Sequence, residues 1–292
     1  MTYGAPRDVA DIGPYLARVR GGKEPTAELV AEFVARYERI GWSPLIERTC
    51  AQAAALEAAL GPEWQVRAGM RFSAPSISDV VGTLRATERI VGIVMSPQFS
   101  PLLMSGYGQA LVASAGDQPV TMVGAWHRED GFVDALAALV REALDECAPD
   151  CPILFTVHSL PKRVFESEPG YVAQLRETAE LVASSAGLDR ERWHWAYQSA
   201  GHTQEEWLRP DLKEVFPKLA ALGAREVLVV PVQFLADHLE VLYDLDMAAA
   251  EEARACGLRY RRIAMANTQP GFIRALAAIV RGVDASVTSA AP

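Results

Sequence analysis

The sequence predicts an α/β protein of two similar halves, each a parallel sheet with helices on both faces. Three observations point there. The chain has 292 residues, about twice the usual domain of roughly 100–150. Short runs rich in Val and Ile alternate with longer helical patterns, the pattern of a buried parallel sheet. Finally, Ala148-Pro149-Asp150-Cys151-Pro152 breaks a helical pattern just before a new strand, which marks a domain junction.

Strands are expected at 66–70, 90–96, 120–125, 153–157, 193–198 and 227–231, with a weaker one at 262–265, each short and bounded by Pro, Gly or Ser. Helices fill the intervals at 26–40, 44–60, 76–87, 130–146, 171–186, 211–222, 237–256 and 270–281. The apolar segment from Pro97 to Tyr107 is expected as a loop, either covering the core or walling an apolar pocket. The domains are then 1–148 and 149–267, with a carboxyl-terminal helix at 268–283 crossing back to the first half and a frayed tail at 284–292.

Half the residues are apolar and 22% are charged, which excludes disorder for the bulk of the chain. No apolar run reaches the length of a membrane span, and Met1-Thr2-Tyr3-Gly4 has no signal-peptide character, so the cytosol is the expected compartment. A net charge of −9 removes the usual electrostatic drive toward nucleic acid or anionic membranes. Cys50, Cys147, Cys151 and Cys256 include no CxxC and read as reduced thiols. The phosphate-binding G-x-x-x-x-G-K-[ST], a complete G-x-G-x-x-G after a strand, and the G-x-S-x-G of hydrolases are all missing, which weakens nucleotide-dependent and hydrolase readings.

Two strand ends carry chemistry. The strand at 153–157 runs straight into His158, placing an imidazole at the carboxyl end of a parallel strand, where ligand sites of open α/β sheets lie. The alternative is a histidine that only bonds a loop backbone. The strand at 227–231 leads through Ala236-Asp237-His238-Leu239 to Glu240. Asp237 and Glu240 have the D-x-x-E spacing of a capping box, so Glu240 either closes a helical turn or faces the cleft, with Asp244 and Asp246 extending an acidic surface. An imidazole and a carboxylate across a cleft suit a loosely held first-row divalent metal, and equally a pair of proton acceptors. His238-x-Glu240 also matches zinc deaminases, a reading discarded because no P-C-x-x-C follows. Near the amino terminus Arg18, Arg20 and Arg36 lie among Tyr3, Tyr15, Tyr37 and Trp42, either solvated or gripping carboxylates beside an apolar ligand.

Val157-His158-Ser159-Leu160-Pro161, together with Val230-Pro231-Val232-Gln233-Phe234-Leu235-Ala236-Asp237-His238-Leu239-Glu240-Val241-Leu242-Tyr243-Asp244, resembles the two signature segments of ferrochelatases. The resemblance extends to Tyr3-Gly4-Ala5-Pro6, Arg36-Tyr37, Ser43-Pro44-Leu45, Gln198-Ser199, Trp207-Leu208 and Asn267, so it covers nearly the whole chain. It implies two Rossmann-like, doubly wound domains with a porphyrin cleft between them, and insertion of Fe2+ as a substrate in haem biosynthesis. It implies no required cofactor and, without a cysteine-bearing carboxyl-terminal extension, no iron–sulfur cluster. By resemblance His158 and Glu240 are the catalytic pair and bind iron or take the pyrrole protons, and Asp244 lies on a metal approach path. The family's further acidic position falls on Ala248, and a second cleft histidine of some members aligns near Phe72 or Ser73.

Phe99-Ser100-Pro101-Leu102-Leu103-Met104-Ser105-Gly106-Tyr107 looks like the soluble bacterial branch that uses coproporphyrin III. In that branch Tyr3, Arg20, Arg36, Tyr37, Ser43 and Tyr107 match positions that contact the tetrapyrrole and its propionates, with Tyr3 axial to the product iron. The family's first strand precedes the Tyr-Gly motif, and Met1-Thr2 form only a stub of it. The expected partners are coproporphyrin III, Fe2+ and neighbouring haem-pathway enzymes, for a monomer with no nucleic-acid or integral membrane contact. The alternatives are a protoporphyrin IX ferrochelatase, a cobalt or nickel chelatase of a related tetrapyrrole, and a non-catalytic tetrapyrrole or metal carrier.

Overall fold

The computed structural model describes the backbone of residues 1–84, 87–201 and 205–289. The first half opens with α1 (Val9–Val19), α2 (Ala27–Ile40) and α3 (Leu45–Leu60). Asp8 and Thr26 cap α1 and α2 by accepting from Asp11 and Leu29 backbone N–H groups, and Gly41 ends α2 in the left-handed region. The sequence reading passes over α1 because Gly13-Pro14 interrupts its pattern. Next come α4 (Ile77–Val81), β1 (Ile90–Gly92), α5 (Pro101–Ala115), β2 (Val120–Met122) and α6 (Asp130–Leu144). A short 3-10 turn carries α4 to Leu84, and the rest of the expected 76–87 helix includes 85–86, which lie outside the described residues.

The segment expected as a loop before Tyr107 is helical from Pro101 onward. Ser100 accepts from the Leu103 N–H, and Pro101 sits where its missing N–H costs nothing, so the punctuation that suggested a loop is a helix start. The strand expected at 66–70 shrinks to bridges at Met70, because Glu57 captures the Val66 N–H at 2.6 Å and pairs with Arg67 at 2.8 Å. Met1–Tyr3 runs extended beside it: Arg71 and Phe72 N–H groups donate to Thr2 and Tyr3 carbonyls, and the Met95 N–H donates to Met1 on the other side. These bonds carry Tyr3 to the carboxyl-end side of the small parallel β1–β2 sheet.

The second half comprises β3 (Ile153–His158), α7 (Lys162–Ser167), α8 (Pro169–Ser185), β4 (Trp193–Gln198), α9 (Leu212–Ala221) and β5 (Glu226–Pro231). A π-helix over Glu240–Ala249 then runs into α10 (Ala250–Ala255), followed by β6 (Arg259–Arg262) and α11 (Pro270–Ser289). The four strands form a parallel sheet in the order β4-β3-β5-β6. Central β3 and β5 are buried almost throughout, as their unbroken apolar runs require. Edge strand β6 is polar and starts earlier than the apolar run at 262–265: its register pairs Arg259 with Glu226, and Arg259 Nε donates to the Glu226 carboxylate at 2.8 Å. The expected helix at 237–256 instead starts at Glu240 and is π-wound for ten residues before becoming α.

The main core runs through both halves. Phe155 and Val157 of β3 and Leu228 and Val230 of β5 share it with Phe132, Leu136 and Val140 of α6, Leu56 of α3, and Phe272 and Leu276 of α11. Phe272 lies 6.4 Å from the Phe132 ring and 6.5 Å from Trp126, and Arg281 donates to the Ala59 carbonyl of α3. The helix α11 continues to Ser289, beyond the expected end at 283, and 290–292 lie outside the described residues. Among the described residues no helix is long and apolar enough to cross a membrane.

At the amino end of β3, the Cys147 and Cys151 sulfurs and a Glu226 oxygen lie within 4.8 Å of one another. Glu226 is already committed to the Ala148 N–H and to Arg259, with Arg261 at 3.9 Å, so cationic groups face it. Burial pushes the Cys151 thiol up to about 12 and raises Cys147 as well, so both are protonated near neutrality.

Two outcomes follow for stability. Phe272→Ala, at a fully buried ring joining α11 to α6, should cost about 3–5 kcal/mol, read as a lower urea midpoint. Burial raises the Glu226 pKa, but the Ala148 N–H and Arg259 outweigh it and hold the carboxyl below its ordinary value. Its contribution is therefore present above the unfolded value of about 4.3 and disappears as pH falls through the folded one. Glu226→Gln should flatten the fall of stability across that acid window, and an unchanged slope would rule the carboxylate out as its source.

Candidate active site

Parallel pairing of β3 with β5, Phe155 opposite Val230 and Thr156 opposite Pro231, brings their carboxyl ends together. His158 ends β3, and its backbone N–H donates to Gln233 Oε1 at 2.8 Å, while Gln233 Nε2 donates to the Tyr171 hydroxyl at 2.9 Å. The His158 Nδ1 sits 2.5 Å from the Ser159 carbonyl, which assigns the neutral ring's proton to Nδ1 and leaves the Nε2 lone pair free. That Nε2 lies 3.6 Å from Glu240 Oε2. One ring thus makes both contacts: Nδ1 bonds the loop backbone, and Nε2 faces the carboxylate.

His238 repeats the arrangement. Its Nδ1 lies 3.0 Å from the Ala236 carbonyl, its Nε2 lies 4.0 Å from Glu240 Oε2, and the Phe234 ring stands edge-on at 4.5 Å. Two imidazole nitrogens therefore flank one carboxylate. The H-x-E spacing in the sequence fits no deaminase motif and does not by itself select His238; only the tertiary structure brings it to the site.

The capping box, one of the two alternatives for Asp237 and Glu240, does not form. The Asp237 N–H donates to Asn267 Oδ1 at 3.1 Å and Asn267 Nδ2 donates to Asp237 Oδ2 at 2.8 Å, with Asn267 in the left-handed region at φ 40°. Gln52 of α3 donates to the Asn267 carbonyl at 2.9 Å, tying this loop to the first half. Glu240 begins the π-helix with its carboxylate beside His158 and His238.

Asp244 lies further along the π-helix. Burial raises its pKa, Ser199 beside it and Arg36 oppose the rise, and Glu240 adds to it. Asp246 does not extend an acidic surface, because Arg262 grips both its oxygens at 2.6 and 2.9 Å.

A cavity of about 390 Å³ opens beside these groups, with Tyr3, Arg71, Tyr107, Leu102, Phe234 and His238 in its wall. Tyr3 is 44% exposed and packs edge-on against Phe72 at 4.6 Å. Tyr107 is buried on α5, and Tyr37 is buried against Trp42 at 5.1 Å. Burial first and the Glu240 charge second raise the Tyr37 hydroxyl, so it stays protonated. Arg36 is 2.5 Å from Glu32 and 3.8 Å from Asp244, and so faces the π-helix. Arg20 is an exposed residue at the end of α1, next to Val19 in the cavity wall, and Ser43 is buried at the start of α3, where it accepts from the Leu45 N–H. Neither lines the cavity. Arg71 does, although the sequence reading did not select it; an arginine followed by Phe72 was its only signal.

Two imidazoles, one carboxylate and an adjoining apolar and phenolic cavity can pass a divalent cation onto a flat ligand and take protons from it. A family model described as Ferrochelatase matches residues 1–283. The chain belongs to the ferrochelatase family. It is therefore a porphyrin metal-chelating lyase, acting in insertion of iron into porphyrin for haem biosynthesis. It is 36% identical to the "Ferrochelatase" of Deinococcus radiodurans, over 98% of this chain and 95% of that one. It is 34% identical to the "Coproporphyrin III ferrochelatase" of a Geobacillus species, over 96% of this chain and 95% of that one. The fold is similar to SirB from Bacillus subtilis with Fe3+ (TM-score 0.59, 14% identity, 84% and 92% of the two chains). It is also similar to CbiX of siroheme biosynthesis in denitrifying bacteria (TM-score 0.57, 16% identity, 82% and 92%).

Asn267→Ala should remove the hydrogen-bond donor to Asp237 Oδ2, leaving only the longer contacts of Arg48 at 3.8 Å and Arg262 at 3.9 Å, and cost about 1–3 kcal/mol, seen in urea denaturation. The same substitution should slow iron insertion, because the loop carrying His238 and Glu240 loses its anchor.

Proposed function

We propose that this ferrochelatase inserts Fe2+ into coproporphyrin III. The observation that carries the reading is the cavity wall: Tyr3, Tyr107 and the Arg71 guanidinium border the space beside His238 and Glu240, a polar and cationic margin suited to a porphyrin rich in carboxylates. The relatives named for coproporphyrin III, the Geobacillus enzyme among them, support it.

In the mechanism, cleft contacts remote from the metal hold the macrocycle bent, so that pyrrole nitrogens turn toward incoming iron and binding energy offsets the distortion. Asp244, held by Arg36, lies on the path of the hydrated ion toward Glu240. Iron exchanges its waters for four pyrrole nitrogens, and two N–H protons leave. The His158 and His238 Nε2 atoms are the acceptors that their Nδ1 bonds prepare, and Glu240 between them relays the protons to water. Tyr3 offers its hydroxyl oxygen to the product iron from the cavity wall, Tyr107 contacts the periphery, and Arg20, exposed outside the cavity next to Val19, meets only a propionate that projects past the wall. Tyr37 and Ser43 support this wall from behind. The reaction needs no resident cofactor, and the polypeptide works as a cytoplasmic monomer.

Anaerobic incubation with Fe2+ and either coproporphyrin III or protoporphyrin IX, following loss of free-porphyrin absorption, tests the substrate. Multiple turnovers with a kcat/KM at least about tenfold higher for coproporphyrin III are expected, in the range that a lost charge-assisted contact produces. Preference for protoporphyrin IX would overturn the assignment. His158→Ala should lower insertion by about 10²–10⁴-fold while porphyrin binding, read by fluorescence quenching, survives.

A further inference from the structure

We propose that Arg71 is a substrate-binding residue that grips one propionate carboxylate of the tetrapyrrole, and that Gly106 is glycine to make room for it. The inference rests on the porphyrin reading above and names a contact that reading leaves open. Arg71 lies in the cavity wall between the amino-terminal segment and α5. Its guanidinium stands 4.8 Å from the Phe72 ring centre and 5.3 Å from that of Tyr107, while Nη1 donates to the Leu103 carbonyl at 3.2 Å. A Cβ at position 106 would lie 2.1 Å from Arg71 Nη2 and 2.3 Å from its Cζ, so only glycine there leaves the guanidinium its place.

Among the described residues Arg71 has no carboxylate partner. Aromatic faces and one carbonyl hold it in position but leave most of its five donors unused, which is a prepared site for a planar anion. Arg36, by contrast, already has Glu32 and Asp244, and Arg18 has Asp11 and the Phe72 carbonyl. The tetrapyrrole's carboxylates supply what Arg71 lacks, and a bidentate grip beside α5 fixes the rotation of the macrocycle over Glu240.

The competing role is structural: Arg71 as a staple between α5 and the Arg71-Phe72 segment. Arg71→Gln keeps reach and hydrogen bonding but removes charge, so it separates the two. Coproporphyrin III Kd by fluorescence quenching should rise about tenfold to a hundredfold, KM should follow, and kcat should move far less. Arg71→Lys should recover part of the loss, since a point charge replaces the fork. Gly106→Ala improves helix propensity yet displaces the guanidinium, so it should weaken binding too. The double variant should be no worse than Arg71→Gln alone.

A Kd for Arg71→Gln within about twofold of wild type, or full additivity with Gly106→Ala, would overturn the inference while wild-type turnover stands. Wild-type protein that turns over neither porphyrin would instead overturn the reading beneath it. Circular dichroism and the urea midpoint of each variant show whether a Kd change arises in a folded chain, and a loss confined to unfolded protein assigns Arg71 to the staple.

Discussion

The site depends on one constraint, the parallel adjacency of β3 and β5. Parallel neighbours end on the same side of a sheet, so pairing Thr156 with Pro231 places His158 and the loop to Glu240 over one edge. Neither strand has freedom to shift, because both are buried on two faces and a slip would misplace every packed side chain. The hydrogen bond from the His158 N–H to Gln233 then crosses between the two chain ends beyond the paired residues. The geometry at Nε2 is a consequence of that ladder, transmitted through a single side chain.

A second layer joins the halves. The core shared by α3, α6, α11 and the second sheet couples them through packing, and the Gln52, Asn267 and Asp237 network couples them through polar contacts directly under the His238 loop. Rigid backing of this kind is what the proposed bending of the macrocycle requires, since strain placed on a ligand is returned equally to the wall that applies it. The opposite wall is lighter. The first sheet has two short strands, and α5 with its exposed Leu102 and Leu103 meets the amino-terminal segment through Arg71. The site is thus bounded by a deeply packed half bearing His158, His238 and Glu240 and a thinner half bearing Tyr3, Tyr107 and Arg71.

Much of this was legible in one dimension. The buried strands at 153–157, 193–198 and 227–231 appear as apolar runs because central parallel strands see no water on either face. His158 and Glu240 were readable because each follows such a strand closely. Edge and capped elements were not: β6 reads RYRR, its pairing supported by Arg259 on Glu226, and α5 hid behind a Ser-Pro start that resembles a turn. The π-winding over 240–249 leaves no mark in residue spacing that separates it from an α-helix.

The sequence by itself determined the α/β class, the two halves and the strand ends bearing an imidazole and a carboxylate, since these follow from local periodicity and chain order. Tertiary structure decided which side chains are free to act. Asp237 and Asp246 are occupied by Asn267 and Arg262, Arg36 turns to Glu32 and Asp244, and Arg20 stays outside the cavity, while His238 and Arg71 enter it. The physical reason is that a charged or polar side chain's role depends on which partner satisfies it. Those partners come from segments as far apart as 52 and 267, whose meeting no local pattern records.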